Sequence, residues 1–194
     1  MFGGHVARTV VDELDDSIMK LLQEGTENTI HGFRTSANRL HGTLKAWVKT
    51  GKDTFKTFGK GFIAELRVAK KLIDEIGAKK IKAMNKFVKS VDIENQPFLK
   101  QNLHFGKTDV DFITHEKAII VKNAPASSID PSDLKKQFWS AWRESPSRNI
   151  EIIVPHGQID AYKQIINSFK SDFAEGLDNF PFTIEVSELP FGTP

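Results

Sequence analysis

The chain has 194 residues, enough for one ordinary domain with a buried core, and 39% of them are apolar against 27% charged. No apolar run approaches the length that spans a bilayer, and the absence of cysteine excludes disulfides and thiolate metal sites, so any metal must sit on oxygen or imidazole. A net charge of +2 means that a nucleic-acid partner would be recognised through the placement of charge rather than its total.

The first residues lack the basic-then-apolar pattern of a secretory signal, so a cytoplasmic location is expected. Val6, Val10, Val11, Leu14, Ile18, Leu21 and Leu22 recur at helical spacing through Glu24, and a second such pattern runs from Phe33 to Val48 after a break at Gly25 to Gly32. Neither carries a catalytic constellation, and both read as packing or connecting elements. Lys45, Lys49, Lys52, Lys56 and Lys60 are spaced as one stripe of a continuous helix, and Lys52, Lys56 and Lys60 are candidate phosphate ligands; the alternative is a solvated face interrupted at Gly51 and Gly59.

Gly61 to Ile76 predicts an amphipathic helix with Phe62, Leu66, Val68, Ala69, Leu72, Ile73 and Ile76 on one arc. Glu65 falls at the middle of that arc. A buried carboxylate costs several kcal/mol unless it is paired, hydrogen-bonded or metal-bound, so the helix aims an acid at something. The alternatives are a basic neighbour that neutralises it, or a core that opens to solvent there.

Lys79 to Lys89 is basic, Val88 to Glu94 suits a strand or part of a helix, and Asn95 to Lys107 reads as a loop around Pro97. Thr108 to Asn123 then predicts a β-hairpin turning at His115-Glu116. Strand alternation puts Asp109 and Asp111 on one face, and Ile120 and Lys122 on one face. Two acids and a lysine can thus converge in the manner of a metal-and-phosphate site, or lie on a solvated hairpin edge. Asp130-Pro131-Ser132-Asp133 is a helix start, followed by a helix to about Glu144 with Gln137 at the edge of its buried face. Asn149 to Val154 is a strand, Ile159 to Phe173 a helix, and Phe182 to Leu189 a final strand. This order is an α/β pattern: a mixed sheet with helices on its faces.

The same order resembles the PD-(D/E)xK, or restriction-endonuclease-like, nucleases, whose core runs αβββαβ. The residues that carry the likeness are Glu65 in GFIAELRVAKKL, Asp111 in DVDFIT, Lys122 in AIIVKN and Gln137 in DLKKQFW, within residues 60 to about 155. It implies a nuclease domain over 60–194 preceded by a helical extension over 1–59, with Glu65, Asp111, Lys122 and Gln137 as catalytic residues. Mg²⁺ or Mn²⁺ would be the cofactor, and DNA, in preference to RNA, the substrate. One departure stands out: the second hairpin strand of the family carries an acid two residues before the lysine, and here that position is Ile120. Three readings follow. The metal is held by Glu65, Asp111 and Asp109; or the chain is a non-cleaving relative that binds nucleic acid or protein; or this copy is inactivated. A domain whose Glu65 is merely paired is a further alternative. The helical preface also resembles the nuclease domains at the C-termini of bacterial polymorphic toxins, which implies delivery into the cytoplasm of a target cell and a cognate immunity protein.

Overall fold

The computed structural model describes residues 19–50 and 60–190. Residues 19–24 are helical, while the rest of the first expected helix, Lys52 and Lys56 lie outside the described residues; Lys60 enters only as the first residue of a helix. The elements in chain order are α1 (Glu27–Thr50), α2 (Lys60–Ile76), β1 (Ile81–Val88), β2 (Val91–Ile93), β3 (Leu103–Phe105), β4 (Thr108–Thr114) and β5 (Lys117–Val121). They continue with α3 (Pro131–Glu144), β6 (Asn149–Val154), α4 (Ile159–Ser168) and β7 (Ile184–Glu188).

Five strands form one mixed sheet in the order β1-β4-β5-β6-β7. β1 pairs antiparallel with β4 and β4 with β5, whereas β5–β6 and β6–β7 are parallel. The parallel steps follow from the helical crossovers, since a parallel return needs a connection long enough to cross a sheet face. α3 begins as expected: Asp130 accepts a hydrogen bond from the Ser132 N–H at 2.8 Å, with Pro131 in the first turn.

Each face of the sheet has its own core. On one side α2 contributes Ala64, Val68, Ala69, Leu72 and Ile73 against Met84, Phe112, Ile119 and Ile153. On the other, Leu134, Phe138, Trp139 and Trp142 of α3 pack on Val110, Ile113, Ala118 and Ile120. Phe98, Phe173, Phe180 and Phe182 extend that side as a set of edge-to-face ring contacts around Phe138 and Trp139. Much of the phenylalanine content is spent there.

Two expectations are corrected. The first strand lies at Ile81–Val88, upstream of the Val88–Glu94 stretch, because buried Ile81, Ala83 and Met84 alternate with exposed lysines that mask the pattern. The segment read as a loop holds β3, which pairs with β2 in a separate two-stranded sheet. Helix α1 also starts earlier than its apolar pattern, at Glu27, and packs closely on β1. Thr29 Oγ1 donates to the Ile81 carbonyl at 2.7 Å and Thr26 Oγ1 to that of Lys82 at 3.0 Å. A Cβ on Gly32 would stand 1.7 Å from the Met84 carbonyl oxygen, so only glycine allows this approach.

Candidate active site at the fork between two strands

The two strands of the β4–β5 hairpin pair at Ile113↔Ala118 and Phe112↔Ile119 and then part. At that fork Asp111 Oδ2 accepts the Val121 N–H at 2.7 Å, taking the place of a strand carbonyl. β5 remains fixed on its other side, where the Lys122 N–H donates to the Ile153 carbonyl at 2.8 Å. The bifurcation therefore holds the Asp111 carboxylate in a buried position just ahead of Lys122.

The other residues reach this point from three helices and an outer strand. Glu65 comes from the first half of α2. Gln137 comes from α3, and its Oε1 accepts a hydrogen bond from Lys122 Nζ. Asn85 stands in β1 opposite Asp111, between the paired residues Met84↔Phe112 and Lys86↔Val110. Its φ of 48° is left-handed, a conformation that asparagine tolerates better than most residues. The Asn85 amide Nδ2 donates to Glu65 Oε2 at 3.1 Å and also to Ser36 Oγ of α1. One turn further along α1, Arg39 Nη2 lies 3.7 Å from Asp109 Oδ2. Thus Glu65, Asp111, Lys122 and Gln137 converge.

The electrostatics are those of acids gathered faster than their charges are compensated. Burial, and then the neighbouring Asp111 charge, push the Glu65 carboxyl up to about 8, against the hydrogen bond from Asn85 and the charge of Arg39. Burial likewise raises Asp111 to about 6, with Lys122 and the Val121 N–H pulling the other way. Lys122 is held below the usual lysine range by burial, although Asp111, Asp133 and Glu65 oppose that.

Asp109 adds its charge to both acids but is engaged elsewhere. Its Oδ2 faces Arg39, and its Oδ1 is buried without a hydrogen-bond partner in the protein. Among the described residues no group of three or more His, Cys, Asp or Glu is placed to hold a metal ion, so the set Glu65, Asp111 and Asp109 is not gathered into one cluster. Val110 and Phe112 of β4 belong to the cores on opposite faces, so the strand does not keep the alternation that pairs Asp109 with Asp111, which is why alternation alone over-counted the ligands. Glu65 and Asp111 remain as an oxygen donor pair whose raised pKa values a cation would relieve. That pair suits a hard divalent ion that keeps several of its waters. Ile120 is 1% exposed and packed in the α3-side core, so the position two residues before Lys122 is part of the hydrophobic interior.

Asn85, Ser36 and Arg39 were not singled out by the sequence. A signal that could have found Arg39 is the polar stripe Asn28, His31, Thr35 and Arg39 along one face of α1, at spacings of three, four and four; Asn85 and Ser36 left no such mark. Comparison with protein-family models, with curated proteins and with solved structures gave no match.

Proposed function

We propose that this chain is a metal-dependent nuclease that hydrolyses phosphodiester bonds of DNA or RNA. The observation that carries the reading is the Asp111 carboxylate held at the β4–β5 fork beside Glu65, with Lys122 fixed at the end of β5. A mixed sheet with α2 and α3 on opposite faces supports the reading, since a nuclease core of the αβββαβ kind is a mixed sheet flanked by helices. Glu65 and Asp111 would hold Mg²⁺ or Mn²⁺, which when bound stabilises negative charge on the scissile phosphate. Lys122, steered by Gln137, donates hydrogen bonds and positive charge toward the oxygen where charge develops. Asn85 orients Glu65, and the Val121 N–H orients Asp111. Release into a target cell as a toxin, with an immunity protein as partner, extends this proposal and rests on the sequence resemblance alone.

The test is incubation of purified protein with plasmid DNA and with RNA in Mg²⁺, in Mn²⁺ and in EDTA. Degradation in the metals only, lost in Asp111→Ala and Lys122→Ala, is the expected result. Intact nucleic acid under every condition would defeat the proposal. A second reading, a non-cleaving nucleic-acid-binding module on the same fold, is favoured by one observation, the burial of Ile120. It is distinguished by salt-dependent binding that needs no metal and leads to no cleavage.

A further inference from the structure

A groove of about 460 Å³ runs along β1 beneath the polar stripe of α1 and ends at the candidate site. Arg39 and His31 line it from α1, Lys82, Asn85, Lys86 and Phe87 from β1, and Asp109 from β4. Two of these residues connect it to the acids: Asn85 donates to Glu65, and Asp109 is two residues from Asp111 on β4. Phe87 is 60% exposed, the most exposed large apolar side chain among the described residues, and it pairs across the ladder with Asp109.

We propose that this groove takes a single strand of nucleic acid, with Arg39 and Lys86 on its phosphates and Phe87 stacked on an unpaired base, leading the chain to Glu65 and Asp111. The inference rests on the nuclease reading and names its substrate class. The volume is that of a small-ligand cleft, which suits one or two nucleotides rather than the width of a duplex. Cationic grooves with an exposed aromatic ring are how proteins hold single strands without reading sequence. Two anions also border the path. Arg39 lies 3.7 Å from Asp109, and Lys86 2.5 Å from Glu144. In both pairs the cation is the exposed partner, 60% for Arg39 and 46% for Lys86, so each can reach a phosphate in the groove.

The experiment is fluorescence anisotropy with the full chain in EDTA, where binding is read without cleavage, using labelled oligonucleotides of about 12 residues, single-stranded and as the matching duplex. The single strand is expected to bind at least about tenfold tighter than the duplex, and Phe87→Ala to weaken it by about tenfold without altering the salt dependence. Arg39→Gln should instead lower the slope of log affinity against log salt by about 0.7, the share of one phosphate contact, while Lys163→Ala on the exposed face of α4 changes neither. Duplex binding as tight as single-strand binding, no binding at all, or an indifferent Phe87→Ala would overturn the proposal. Metal-dependent cleavage that persists with an indifferent Phe87→Ala removes the groove and leaves the nuclease. Single-strand binding without cleavage in either metal removes the nuclease and leaves the groove.

Discussion

Lysines mark both ends of β5, Lys117 at its first residue and Lys122 just past its last, and each stands near buried acid under different terms. At the Lys117 end, Glu151 is 6% exposed and fully engaged: Lys117 Nζ lies 2.7 Å from its Oε2, and Ser187 donates to its Oε1 at 2.6 Å. Glu185 adds a second carboxylate 2.9 Å from the same ammonium. Burial would lower the pKa of Lys117, yet these glutamates outweigh it and raise it. At the Lys122 end the ammonium is bonded to a neutral amide, its pKa is lowered, and those of two carboxyls beside it are raised. The same residue type on one strand is thus a satisfied structural cation at one end and an under-compensated one at the other. Perturbation that serves no pairing is a mark of functional sites.

The contrast can be broken first by activity. Asp111→Ala and Lys122→Ala are each expected to reduce metal-dependent cleavage by about 100-fold or more, the scale of losing a charge-stabilising group, while Lys117→Ala leaves the rate per folded molecule nearly unchanged. Equal losses at both ends, in gel assays on plasmid and RNA, would erase the distinction. Next in size, Ile120→Glu places a charge in the α3-side core and is expected to lower unfolding free energy by about 3–5 kcal/mol in urea titrations. A stable Ile120→Glu protein with faster cleavage would show that position 120 belongs to the site after all.

Lys117→Met strands Glu151 without its cation, and a loss of about 1–3 kcal/mol is expected in urea titrations. The smallest effect is a pH slope. Between its ordinary 4.5 and about 8, the folded chain keeps a proton on Glu65 that the unfolded chain has released, so stability falls as pH rises through that window. Asp111 adds the same sign between 3.8 and about 6. Glu65→Gln should flatten the upper part of the slope and raise Tm at pH 8 by about 2–4 °C for each kcal/mol recovered. Mg²⁺ should raise Tm at pH 8 in the parent protein and lose that effect in Glu65→Gln.

Much of the site was legible because each member sits on a regular period. Glu65 interrupts a helical arc, Asp111 and Lys122 follow from strand alternation, and Gln137 from the edge of a capped helix. The rest depended on contacts made through space. Asn85 and Ser36 are 49 residues apart and meet only because α1 docks on β1. β1 itself was hidden by its lysines and by the left-handed turn of Asn85, which disturbs the alternation from which a strand is read. Asp109 shows the opposite error: the alternation that paired it with Asp111 is not kept through β4, where Val110 and Phe112 belong to the cores on opposite faces, and Asp109 lies with Arg39.

The seat of α1 also decides where this chain can be cut. Thr26, Thr29 and the bare Cα of Gly32 cover the carbonyls of Ile81, Lys82 and Met84 on the outermost strand of the sheet. A fragment beginning at residue 60 would present that row of acceptors to solvent. Uncovered sheet edges recruit strands from other molecules, so such a fragment is expected to self-associate through β1 and to elute from a sizing column as a broad, concentration-dependent species.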